Sequence, residues 1–116
     1  MNVGIQATHN FSDYAIFLRA MRVILSGMSE DDKNITIFSA GPTLLNSMSL
    51  EFSNKTEDSL KARGIKIKTV KVPTKWFKTN MIDMDYFAFF SLPKESNSPL
   101  VREAEDHDVE VGTFRY

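Results

Sequence analysis

A short apolar strand, Ile35-Thr36-Ile37-Phe38, runs directly into Ser39-Ala40-Gly41-Pro42-Thr43-Leu44-Leu45-Asn46, where small residues give way to a helical pattern. A strand that passes to a helix through Ser, Ala and Gly leaves backbone N–H groups bare at the helix start. Those donors, together with the positive end of the helix dipole, form a seat for phosphate or carboxylate. The chemistry this stretch points to is therefore anion binding. It does not specify a reaction.

The other residues able to do chemistry are few. His9 stands just after the first strand, where it could donate to a ligand phosphate or simply satisfy a strand end. His107 lies in an acidic stretch and reads as a surface residue. Two histidines this far apart give no metal-ligand spacing. Ser39 lacks the Gly-x-Ser-x-Gly elbow and a recognisable base, which argues against a serine hydrolase. Asp83 and Asp85 are spaced to share one face of an extended segment, as an acid/base pair would. Loop acids that face water are the commoner arrangement. Trp76-Phe77 among lysines could stack a base, or the Trp could plug the open end of a sheet.

Strands and helices must position these residues, and their periodicities are readable. Val3 to Ala7 is a short buried strand ending at Thr8-His9-Asn10, and Ser12 or Asp13 can cap the helix that follows. In that helix Tyr14, Phe17, Leu18, Met21, Ile24, Leu25 and Met28 fall on one face, a core stripe. Gly27 and the polar run from Ser29 to Asn34 stop it. A second strand covers Ile35 to Ser39. A second helix starts at Pro42 or Thr43, with Leu45, Met48 and Phe52 along one side. Asn54 followed by Glu57 resembles a capping box, which predicts that the helix restarts there and runs to Arg63, closed by Gly64.

Ile65 to Val72 alternates with a period of two and predicts a strand with one wet, basic face, suited to a sheet edge. Pro73 to Phe77 starts a loop or short helix. Tyr86 to Leu92 is apolar throughout, as a central strand covered on both faces should be. Pro93 to Ser98 is a polar loop. Ser98 as N-cap and Pro99 as first helical residue open a short acidic helix reaching about Asp106, and the run from Val109 to Tyr116 is a last strand. Strand–helix alternation of this kind predicts an α/β fold: a single doubly wound, mostly parallel five-stranded sheet with helices on both faces.

Bulk composition narrows the class further. The 116 residues allow one domain, 1–116, and the balance of 42% hydrophobic to 25% charged residues is ordinary for a globular chain. The formal net charge of -1 makes nucleic acid an unlikely partner for the molecule as a whole. The absence of cysteine excludes disulfides, thiolate metal sites and cysteine nucleophiles together. No basic, apolar leader opens the chain, and no segment approaches the ~20 apolar residues of a membrane span. The expected compartment is the cytoplasm, with no membrane contact.

Charge is nevertheless segregated. Lys61, Arg63, Lys66, Lys68, Lys71, Lys75 and Lys78 dominate one stretch, and Asp83, Asp85, Glu95, Glu103, Glu105, Asp106, Asp108 and Glu110 the next. These read either as two solvated faces or as a basic patch that meets an acidic partner. Complementary halves would also suit a homo-oligomer.

The chain resembles the SLOG superfamily, Rossmann-like in fold, and within it the bacterial and phage branch related to YspA and YpsA. That branch opens with a pattern close to G-S-R-D-F-T-D-Y after its first strand, and Ala7-Thr8-His9-Asn10-Phe11-Ser12-Asp13-Tyr14 follows it without a gap. Its second strand ends close to S-G-G-A-R-G-A-D, which Ser39 to Asn46 shadows position by position. Pro73 and Trp76 match a P-x-x-W after the third strand. Lys78-Thr79-Asn80-Met81 and Met84-Asp85 are partial echoes of R-N-x-x-M and A-D motifs before the fourth.

The resemblance implies a crest, at the ends of the first, second and fourth strands, that binds nucleotides or nucleotide-derived molecules. The implied seat is Thr8, His9, Ser39, Ala40, Gly41, Thr43 and Asn46, with Ser91 and the loop carrying Ser96 and Ser98 closing over it. The departures are as informative. The family's cationic positions are His9 and Thr43 here, and its acidic position is Asn46. Lost arginines remove bidentate phosphate contacts. The glycosidase branches carry P-G-G-x-G-T-x-x-E after the fourth strand, whereas this chain has Leu92-Pro93-Lys94-Glu95-Ser96-Asn97-Ser98-Pro99. The stretch from Asn46 to Gly64 is also longer than the family's, by about two helical turns of 3.6 residues.

These features imply a non-catalytic binder of a nucleotide-like small molecule, with no cofactor and a residual N-glycosidase as the weaker enzymatic option. The alternative is a phage-type protein, in the host cytoplasm, that modulates a host protein through Lys66, Lys68, Lys71, Lys75 and Trp76, its ligand site a relic.

Overall fold

The computed structural model of the chain describes residues 1–92 and 98–115. Five strands are present: β1 (Asn2–Ala7), β2 (Asn34–Ser39), β3 (Lys66–Lys71), β4 (Tyr86–Ser91) and β5 (Glu110–Arg115). They form one sheet in the order β3-β2-β1-β4-β5, and every pairing is parallel. The helices are α1 (Tyr14–Leu25), α2 (Thr43–Lys61), α3 (Phe77–Asn80) and α4 (Pro99–Asp106), with 3-10 turns at Thr74–Trp76 and Met81–Asp83 flanking α3. This is the α/β, Rossmann-like architecture, and the sheet is wholly parallel.

Alternation along the interior strands divides the core in two. Val3, Ile5 and Ala7 of β1 and Ile35 and Ile37 of β2 face α1 and α2, where Phe17, Met21, Ile24, Leu45, Met48 and Phe52 cover them. Phe87 and Phe89 of β4 face the other way, onto Phe77, Met81, Leu100, Val101 and Ala104. Every residue of β4 is buried, as its unbroken apolar run requires, although β1 rather than β4 is the middle strand. Gly4 lets the second layer approach closely: a Cβ there would lie 2.7 Å from the Phe77 ring and 2.8 Å from that of Phe87.

Two local expectations are corrected, and the alternatives at a third site are decided. The second helix does not restart at Asn54; α2 is continuous from Thr43 to Lys61. Ser49 and Ser53, one turn apart and buried, both hydrogen-bond to Thr69 Oγ1 of β3, at 2.8 and 2.7 Å. Across the expected break, Thr56 Oγ1 donates one turn back to the Phe52 carbonyl at 2.7 Å. Gly64, at φ +75, then follows the helix end.

The lysines of β3 do not form one face either. Thr69 turns toward α2, whereas Val70 lies beside Phe38, which packs on the opposite layer. With a period of two, Lys66 and Lys68 share the Val70 side and Lys71 points to the α2 side. The edge position expected for this strand is observed. Asp83 and Asp85 take the commoner of their two arrangements: both are exposed, and they do not pair on an extended face. Asp83 ends a 3-10 turn, its carbonyl accepting from Asn2 Nδ2 at 3.1 Å, and the Asp85 carboxylate accepts from the Asn2 backbone N–H at 2.7 Å. Both tie β1 to the approach to β4 at the amino end of the sheet, away from the crest.

Candidate functional site

The carboxyl end of the sheet is built around the exit of β2. Ala40 N–H donates to the Ile5 carbonyl at 3.0 Å, and Ala7 N–H donates to the Gly41 carbonyl at 3.1 Å. The turn is thus stitched to the middle strand on both sides. Gly41 has φ +93, a conformation that L side chains rarely adopt, and it is followed by a cis peptide bond to Pro42. Pro42 is the N-cap residue of α2 and provides no capping side chain.

One point above this turn gathers the donors. A Cβ placed on Gly41 would meet nothing nearer than 4.0 Å, and the two atoms at that distance are Asn46 Nδ2 and Thr43 N. Asn46 is oriented by Ser39: the buried Ser39 hydroxyl donates to Asn46 Oδ1, which turns the amide NH2 toward Gly41. A main-chain N–H of the first helical turn and a fixed side-chain amide therefore flank one open position. Oxygen acceptors of an anion are what such a position can hold, aided by the α2 dipole. Of the sequence-derived residues, Ser39, Ala40, Gly41, Thr43 and Asn46 are brought together here.

The remaining residues take other places. Thr8 N–H donates to the Phe90 carbonyl at 2.8 Å, bridging β1 to β4 where the strand order reverses. His9 follows it and is exposed. Ser91 is fully buried, and its hydroxyl accepts from Arg115 Nη1, which also donates to the Leu92 carbonyl at 3.0 Å. Ser98 accepts from Leu100 N–H at 3.1 Å as the cap of α4 and donates to Gln6 Oε1. The hydroxyls of Ser91 and Ser98 are engaged in holding the crest together. Ser96 lies outside the described residues. Gln6 and Arg115 are the polar crest residues that sequence reasoning missed. Gln6 lies within an otherwise apolar strand, and that break in the pattern was the one available signal.

The neighbouring β1–α1 junction is closed. Phe11 is fully buried, with its ring stacked on Phe90 at 4.8 Å, and Asp13 caps α1 by accepting from Ile16 N–H at 3.1 Å. A carboxylate already occupies that helix start.

On the opposite face, Trp76 stacks on Phe38 at 4.6 Å and meets Phe77 edge-on. The Trp covers the sheet face over Phe38, whose neighbour on β3 is Val70. Among the described residues no group of three or more His, Asp or Glu is placed to hold a metal ion, and no helix is long and apolar enough to cross a membrane. Comparison with known proteins adds no relative: no family model matches the chain, and neither a curated protein nor a solved structure does.

Proposed function

We propose that this protein binds a nucleotide or nucleotide-derived small molecule at the carboxyl edge of its sheet, as a SLOG-like chain would, and holds it rather than transforming it. The observation that supports this reading is the open position over Gly41, flanked by Thr43 N–H and by the amide that Ser39 orients on Asn46. A phosphate placed there sits at a helix start with no acidic cap, unlike that of α1. His9, exposed next along the same edge, is the group offered to a ribose or base.

The test is a thermal-shift and calorimetry panel of mono-, di- and cyclic nucleotides and ADP-ribose derivatives. A true ligand at 100 times its Kd adds about 2.7 kcal/mol, which raises Tm by roughly 10 °C in a domain of this size. Asn46→Ala should abolish the shift while the protein stays folded. No shift with any member of the panel defeats the proposal.

A second reading is favoured by one specific feature. Lys66 and Lys68, on the edge strand β3, face the same side of the sheet as Trp76, and this basic and aromatic surface suits an acidic protein partner, as in a phage-type modulator of a host protein. Lys75 precedes Trp76 in the same turn. Lys71, on the other face, should then contribute less. Capture of one host protein that is lost in a Lys66→Glu/Lys68→Glu variant, but kept in His9→Ala, would support this reading over the first.

A further inference from the structure

A concavity lies at the amino end of the sheet, opposite the crest, between the C-terminal halves of α1 and α2. Open to solvent on one side, it has a volume of about 750 Å³, within the roughly 300–1,000 Å³ range of small-molecule sites. Its walls are Leu25 and Met28 on one side and Leu60 on the other, with Ile35, Phe52 and Ile65 beneath. Two helices, the loop from α1 to β2, the start of β2 and the residue before β3 line it, so it is a cleft and not a flat face. Thioether and aliphatic side chains of this kind adapt to a flexible chain.

The rim carries the second observation. Arg22, Lys33 and Arg63 line it, together with the acids Glu30 and Asp32. Asp32 is paired with the Met1 ammonium at 2.7 Å. Neither Arg22 nor Arg63 has an ion-pair partner among the described residues. Three cations therefore face one unpaired acid around an apolar cleft. Arginine near a helix C-terminus also complements the helix dipole, but that role does not require an apolar cleft between the two helices.

We propose that this cleft binds a single-chain amphiphile with an anionic head, of the fatty-acid type. The chain lies along Met28 and Leu60, and the head sits against Arg22 and Arg63. This site is independent of the crest, since none of its lining residues belongs to the nucleotide seat.

The test uses the full chain and monomeric decanoate, with decanol and decyltrimethylammonium as head-group controls, read by calorimetry and amide chemical shifts. Saturable binding of one decanoate is expected, with shifts confined to residues 18–35 and 52–65. Decanol and an Arg22→Gln/Arg63→Gln variant should bind at least tenfold more weakly, and decyltrimethylammonium not at all. Equal binding of decanol and decanoate overturns the proposal, and this comparison needs no variant to fold. Absence of saturable binding also overturns it. So does binding only to anionic vesicles or only to an acidic amphipathic peptide, which would make the cleft a membrane or protein contact.

Discussion

The β1–α1 and β2–α2 junctions have the same local plan, a parallel strand turning into a helix on the same layer, yet they end in opposite states. After β1 the chain folds Phe11 down onto Phe90 and supplies Asp13 as an acidic cap. After β2 it places Gly41 at positive φ, offers Pro42 without a cap, and keeps the space above the turn open. A helix start is an anion seat only when the chain itself leaves the first N–H groups unsatisfied and uncovered. The difference lies in a few side chains, not in the fold.

That contrast can be tested at both ends. Phe11→Ala should have the largest effect, because Phe11 is fully buried between strand and helix. A loss of about 3–5 kcal/mol is expected in denaturant unfolding. A loss below about 1 kcal/mol would mean the first junction is not closed by packing.

Gly41→Ala comes next. Its Cβ meets no close neighbour, so the cost is conformational, about 1–2 kcal/mol, and nucleotide protection should fall with it. Asp13→Ala removes the α1 cap at a cost of about 1 kcal/mol and should leave nucleotide protection unchanged.

The smallest effect is expected at Tyr14, the first residue of α1, whose hydroxyl is buried without a hydrogen-bond partner. Tyr14→Phe should leave stability unchanged or raise it by up to about 1 kcal/mol. Burial, and then the nearby Glu51 carboxylate, raise the phenol above its ordinary value of 10.0, partly offset by Lys55. The unfolded chain therefore loses this proton first, so the contribution is intact below pH 10 and declines as pH rises through the folded value. A Tyr14→Phe variant should show a shallower alkaline loss of Tm than the parent. An identical slope would mean that Tyr14 does not titrate differently in the two states.

Much of the fold was legible in residues that act locally, although the contrast between the two junctions was not. The 3.6 period of α1, the Asp13 cap, the Ser98-Pro99 start of α4 and the edge character of β3 follow from short-range rules, and the structure bears each of them out. The clustering of Ser39, Gly41, Thr43 and Asn46 was legible too, because they lie within one turn and its helix. Errors arose where a local signal competed with a distant partner. Asn54 and Glu57 resemble a cap, but α2 runs through that point, docked on Thr69 of β3 by Ser49 and Ser53 just before it. The bond from Asn2 N–H to Asp85 was not legible either, since the two residues lie 83 positions apart.

The sequence by itself determined the alternation of strands and helices, the apolar faces they bury and the bare start of α2, since each depends on residues within a few positions of one another. Tertiary structure alone decided that Ser98 pairs with Gln6 and Ser91 with Arg115, that Lys71 parts from Lys66 and Lys68, and that a cleft opens between α1 and α2. Those outcomes depend on which elements become neighbours and on which face each residue then presents, and packing of the whole sheet sets both.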